Sequence, residues 1–153
     1  MSNLIKSILS IFSMTKSDSE IRYEHLYGLD CGDIWEKMKD GVVTLEDIEW
    51  YANQNAIKPN MHGNAGYHFR QLAYHYEREG QNDRATNLKK RAIEQLLLDN
   101  RAWEAALLHL EMGEINRVRE LYPEIKKWDS SHTDILEKRI DAYLSGNPNY
   151  ATI

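Results

Sequence analysis

The chain has 153 residues, of which 42% are hydrophobic and 28% charged, with a net charge of −5 at pH 7 and a mean hydropathy of −0.65. That length sets a prior of one domain with enough apolar material for a core, and no basic run exceeds Lys89-Lys90-Arg91, which argues against a phosphate-backbone binder and permits a basic protein partner. Cys31, the one cysteine, excludes an intramolecular disulfide and any Cys-x-x-Cys site, and makes a reducing compartment, the cytoplasm, the default.

Residues 4–14, LIKSILSIFSM, form an apolar run broken by Ser7, Ser10 and Ser13. A membrane-spanning helix needs about 20 apolar residues, so no transmembrane segment is expected. With Lys6 the one cation ahead of the main apolar stretch, the run also makes a poor signal peptide. Residues 1–16 therefore read as an amphipathic helix packed on the body. Residues 17–148 read as a single all-α domain, and 149–153 as a frayed tail. Ser17-x-x-Glu20 is a capping-box pattern that starts a short helix through Tyr27, closed by Gly28. Residues 29–32 make a turn, and a second short helix over 33–40 presents Ile34, Trp35 and Met38. Thr44-x-x-Asp47 starts a third, with Leu45, Ile48, Tyr51 and Ala52 on one face. It ends before Pro59, which disfavours helix at Lys58.

Residues 60–64 have turn composition, and Asn64 is placed to cap the next helix. In that helix Phe69, Leu72, Ala73 and Tyr76 share a face, and Gly80 stops it. Ala85, Leu88 and Ala92 form the inner stripe of a partner helix over 83–98. Small Ala73 and Ala85 let the two axes approach, while Phe69 and Tyr76 fill the space on either side. Asp99-Asn100 breaks the chain, with Asn100 as the cap of a helix carrying Trp103, Ala106, Leu107 and Leu110 before Gly113. A shorter helix over 114–122 presents Val118 and Tyr122 until Pro123, followed by a helical turn around Ile125 and Trp128. Ser131-x-x-Asp134 then starts a last helix with Ile135, Leu136, Ile140, Tyr143 and Leu144 on its apolar face, ended by Gly146 and Pro148.

The order Phe69-x-x-Leu72-Ala73-x-x-Tyr76, followed by Gly80, Ala85 and Ala92, resembles the tetratricopeptide repeat, a helix–turn–helix unit of about 34 residues. Trp103, Ala106, Leu107 and Leu110 recur one repeat length later as a degenerate second copy, so the resemblance covers residues 65–122. Lys89 departs from the family pattern, which has an aromatic there, and Leu97 stands in place of its proline. The resemblance implies antiparallel helix–turn–helix hairpins stacked as a short α-solenoid, with N- and C-terminal capping helices, the latter over 132–145.

Catalytic constellations are hard to assemble. His68 and His75 are seven residues apart, two helical turns, and no His-Glu-x-x-His pattern exists, so packing histidines are favoured over a metal site. Nothing around Cys31 lowers its pKa, and Ser130-Ser131-His132 reads as a helix start. No glycine-rich phosphate loop is present, and carboxylates such as Glu46 and Asp47 sit at a helix start, where the macrodipole accounts for them. No cofactor or metal is expected.

Opposite the core stripe of the first repeat helix, Tyr67, Arg70, Tyr74 and Glu77 fall together at about 100° per residue, with Arg78 at the edge. In the tetratricopeptide family this face lines a concave groove that holds a partner peptide. Tyr and Arg are also enriched at binding hot spots. Trp103 belongs to the core by the repeat pattern and to the groove by the Gly113 register. The leading expectation is a non-catalytic protein–protein interaction module: an adaptor, or a small acidic chaperone for a secreted substrate. An immunity protein that neutralises a basic toxin is a second reading, since opposite charge accelerates association. An enzyme using His68, His75 and Arg70 is a third. A homodimer through aromatic residues is compatible with four tryptophans and nine tyrosines.

Overall fold

The structure, a computed structural model, describes residues 17–153, and the helix expected over 1–16 lies outside them. Among the described residues there are nine α-helices, one short 3-10 turn and no strand. The chain divides after Thr44 into two compact units.

In the first unit, α1 (Asp18–Tyr27) opens with the expected capping box: Ser17 Oγ accepts from the Glu20 N–H at 3.2 Å, and Glu20 Oε2 accepts from the Ser17 N–H at 2.6 Å. Helix α2 (Cys31–Lys39) starts two residues before the expected position. Its cap is the Asp30 carboxylate, which accepts from the Asp33 N–H at 2.8 Å, so Cys31 and Gly32 lie in the first turn. Among the described residues, Leu26, Ile34 and Val43 are the buried apolar ones of this unit.

The second unit begins with α3 (Leu45–Ala56), which packs on α4 (His62–Arg78); α4 in turn makes the most extensive helix–helix contact with α5 (Asn82–Leu98). The α4–α5 hairpin buries every residue of the expected stripe: Phe69, Leu72, Ala73 and Tyr76 on one arm, Ala85, Leu88 and Ala92 on the other. Gly80 turns the chain at φ 75°, a left-handed conformation that costs glycine nothing, and Gln81 N–H bonds back to Tyr76 O at 2.8 Å. Across the hairpin, Arg91 stacks on Phe69 and Arg84 on Tyr76, with guanidinium carbons 4.1 and 4.0 Å from the ring centroids.

Two asparagines do other work than expected. Asn64 does not cap α4; it sits in the first turn and accepts a hydrogen bond from Asn55 Nδ2 of α3 at 2.6 Å. Asn100 does not cap α6 (Ala102–Glu111); it terminates α5, adopting φ 58° while its N–H bonds to Leu97 O and the Arg101 N–H to Leu96 O. Asparagine tolerates the left-handed region through its short polar side chain, which makes it a helix stop as readily as a start.

At its N-terminal end α4 comes close to the end of α5 because Gly63 and Gly66 carry no side chain. A Cβ on Gly66 would lie 2.9 Å from Leu96 Cγ and 3.3 Å from the Ala92 carbonyl oxygen. Leu96 is fully buried and has nowhere to go. Gly66→Ala should therefore destabilise the chain by about 1–2 kcal/mol, the overpacking cost outweighing the roughly 1 kcal/mol that alanine offers a helix. A lowered urea midpoint at unchanged m would show it, and a raised midpoint would contradict this packing.

Beyond Gly113, α7 (Ile115–Glu120) stands for the helix expected over 114–122 and ends two residues early, and α8 (Tyr122–Lys126) stands where a helical turn was expected around Ile125 and Trp128. Pro123 lies in the first turn of α8, where its missing N–H is not needed. The N-cap of helix α9 (Ser131–Leu144) is Ser130 rather than Ser131, and the Ser131 N–H is met from before the cap by Asp129 Oδ1 at 2.8 Å. Leu136 and Ile140 of α9 join Leu110, Val118 and Ile125 in one buried cluster, while Leu144, expected on the apolar face, is exposed. Glu137 ties α9 to the preceding helices, accepting from Tyr122 Oη at 2.7 Å and from Arg119 at 3.0 and 3.1 Å. The Arg119 guanidinium holds the Glu137 carboxyl below its usual range. Residues 149–153, expected to fray, include a 3-10 turn (Tyr150–Thr152) that folds back on α9.

Candidate partner-binding face

With Phe69, Leu72, Ala73 and Tyr76 committed to the hairpin core, helical geometry turns Tyr67, Arg70, Tyr74 and Glu77 toward another neighbour. For Arg70 and Tyr74 that neighbour is α6. Arg70 Nη1 donates to Glu104 Oε2 at 3.0 Å, and Tyr74 Oη donates to Glu111 Oε1 at 2.8 Å. Lys89 of α5 reaches into the same seam, its Nζ 3.1 Å from Glu77 Oε1 and 3.2 Å from Glu111 Oε2. The Arg70 guanidinium also lies 5.9 Å from the Tyr67 ring centroid, and the Lys89 ammonium 5.6 Å from that of Tyr74. Glu104 is shared with Arg101, which holds Asp99 as well.

The electrostatics follow from burial. Lys89 is only 5% exposed. Burial by itself lowers an ammonium's pKa, but here Glu77 and Glu111 outweigh it and hold Lys89 above its usual range. Tyr74 is displaced upward, first by burial and then by the Glu111 carboxylate beside it, so its hydroxyl stays a donor. Glu77, by contrast, has half of its side chain in solvent. Of Arg70, Glu77, Lys89, Glu104 and Glu111, Glu77 is thus the most exposed and Lys89 the least.

Trp103 lies elsewhere. It packs against the buried cluster, its ring 4.6 Å from that of His132, with the Arg139 guanidinium 5.6 Å away. Trp103, His132, Glu104 and Trp128 line a cleft of about 560 Å³, and Trp128 itself is 78% exposed. Arg78 is the last residue of α4 and is exposed. His68 is fully buried against the Tyr51 and Tyr67 rings, and burial lowers its pKa to about 4. His75 is half-buried with its ring on Tyr76. Among the described residues, no three His, Cys, Asp or Glu side chains gather as a metal site.

Comparison with protein-family models, curated proteins and solved structures gives no match. The side chains that complete the seam, Lys89, Glu104 and Glu111, are not singled out by periodicity on α4 alone. Two signals point to them. Lys89 occupies a position where an aromatic is expected, and Glu104 and Glu111 stand seven residues apart, on one face of α6. The tail completes the picture: the Tyr150 ring meets Tyr143 edge-on at 5.1 Å and is half-buried against the cluster that contains Leu110.

Proposed function

We propose that this chain is a non-catalytic, tetratricopeptide-like interaction module that holds a basic segment of a protein partner along the α4–α6 face. The observation that carries the reading is the excess of carboxylates along the seam, with Glu77 half in solvent. Glu77, Glu104, Glu111 and Asp99 supply four carboxylates against Arg70, Lys89 and Arg101, and Lys89 is buried where a ligand cannot meet it. Tyr67 and Tyr74 add two amphipathic rings of the kind that anchor interfaces. A chain of net charge −5 reinforces the same preference at longer range and disfavours nucleic acid.

The test is affinity capture from the source cell's lysate, with wild type beside Glu77→Lys and Tyr74→Phe. Glu77→Lys reverses a half-exposed charge, and Tyr74→Phe removes a hydroxyl but keeps the ring. One basic protein should be retained by wild type, released by about 0.5 M salt, and lost with Glu77→Lys while circular dichroism stays helical. Tyr74→Phe should weaken capture less. Retention indifferent to salt and to Glu77→Lys would reject this face.

A further inference from the structure

The tail after α9 occupies one end of this face. Gly146 at φ 75° stops α9, Asn147 N–H bonds back to Ala142 O at 2.9 Å, and Pro148 leads into the 3-10 turn. Tyr150 is the residue of this segment that enters the protein, against Tyr143 and the cluster around Leu110. Its neighbours Asn149, Ala151, Thr152 and Ile153 are exposed. The close packing at this point depends on Gly113, since a Cβ there would stand 2.7 Å from the Tyr143 hydroxyl. Gly113 follows Glu111 by two residues, so the pocket adjoins the acidic seam. Burial first, then Glu111, raises the Tyr150 hydroxyl's pKa, with Lys89 opposing.

What holds the tail is slight. Apart from the Tyr150 ring, its tie to the body is Arg139 Nε donating to Ile153 O at 3.2 Å, an exposed hydrogen bond. A single 3-10 turn has little cohesion of its own. An aromatic pocket filled by a loosely held segment, at the end of a face with an excess of carboxylates, is therefore occupied by a replaceable side chain.

We propose that Tyr150 is a placeholder, and that its pocket beside Tyr143 and Gly113 takes an aromatic side chain from the partner's basic segment once the tail has left. This rests on the acidic-face reading above and adds to it the partner's chemistry, a ring flanked by cations. The tail would then set a threshold that weak or ring-less basic segments do not cross.

The experiment uses the full chain, as wild type and Tyr150→Ala, titrated with the synthetic peptide Lys-Lys-Asn-Tyr-Ala-Lys-Lys and with its twin carrying alanine for tyrosine. Binding is followed through the amide resonances of Gly113 and Tyr143. The tyrosine peptide should bind Tyr150→Ala at least about tenfold tighter than wild type, and the alanine twin should lose most of that gain. In the unmutated chain, excess tyrosine peptide should speed hydrogen exchange at Tyr150 and Thr152, whose N–H groups bond to Asn147 O and Asn149 O, a readout that does not depend on how the variant folds. Equal binding of the two peptides to Tyr150→Ala would overturn the placeholder and leave the acidic face standing. No binding of either peptide, or binding that salt does not weaken, would remove the acidic face itself. A concentration-dependent dimer of wild type that Tyr150→Ala dissolves would give the pocket to a second copy's tail, and would overturn the partner assignment.

Discussion

Replacing Lys89 by methionine should cost the chain about 3 kcal/mol, close to what is lost when one member of a buried ion pair is removed. Methionine matches the stem of lysine, so packing changes little and the effect falls on charge. Glu77 is half in water and tolerates the loss. Glu111 does not, because its Oε2 lies buried beside the Lys89 ammonium. The left-over carboxylate keeps the Tyr74 hydroxyl on its other oxygen but has lost its cation. Adding Glu111→Gln should recover most of the loss at neutral pH, and a double-mutant cycle by urea unfolding measures the coupling. Additive effects of the two substitutions would mean that the pair is not coupled through a dry seam.

The second large effect is acid sensitivity that comes from His68. Burial depresses its pKa to about 4, against an ordinary value of 6.5. The neutral ring is the form the fold accepts, so between these two pH values the unfolded chain binds the proton and the folded chain does not. The His68 contribution is complete above pH 6.5 and is lost progressively as pH falls toward 4. Its full size is about 3 kcal/mol, from roughly 1.4 kcal/mol per pH unit of displacement. His68→Phe keeps a ring against Tyr51 and Tyr67 and removes the titration. The difference in unfolding free energy between wild type and His68→Phe should therefore slope with pH in this window and flatten above it. A difference that stays constant from pH 7 to pH 4 would show that His68 titrates normally in the folded protein.

The hairpin core was legible because the hydrophobic effect writes itself at helical period. Phe69, Leu72, Ala73 and Tyr76 recur at the spacing of one face, and each is buried. The helix ends were less so, for a specific reason. Asparagine favours both the start of a helix and the left-handed stop, and only the neighbouring hydrogen bonds tell Asn100 the stop from Asn64 the inter-helix ligand. Asp129 and Ser131 pose the same ambiguity, since either can accept at a helix start. For the candidate site, periodicity assigned Tyr67, Arg70, Tyr74 and Glu77 to one side of α4 but could not say what stands across from them. The answer lies 34 and 37 residues on from Arg70 and Tyr74, in Glu104 and Glu111. Trp103 carried two incompatible signals, and the structure seats it against the cluster and His132, away from Tyr74.

The two glycines at the start of α4 have a mechanical corollary. Gly66 fits against Leu96 at one end of the α4–α5 hairpin, and Arg84 stacks on Tyr76 nearer its turn, so the arms are clamped at two points along their length. Neither arm can slide or roll on the other without opening a void or forcing a clash. When something presses on Tyr67 or Tyr74, the hairpin should respond as a single stiff lever. The strain must then be released where the backbone is short and irregular, at Asp99, Asn100 and Arg101, so the angle between α5 and α6 is the natural coordinate for any adjustment to a bound partner.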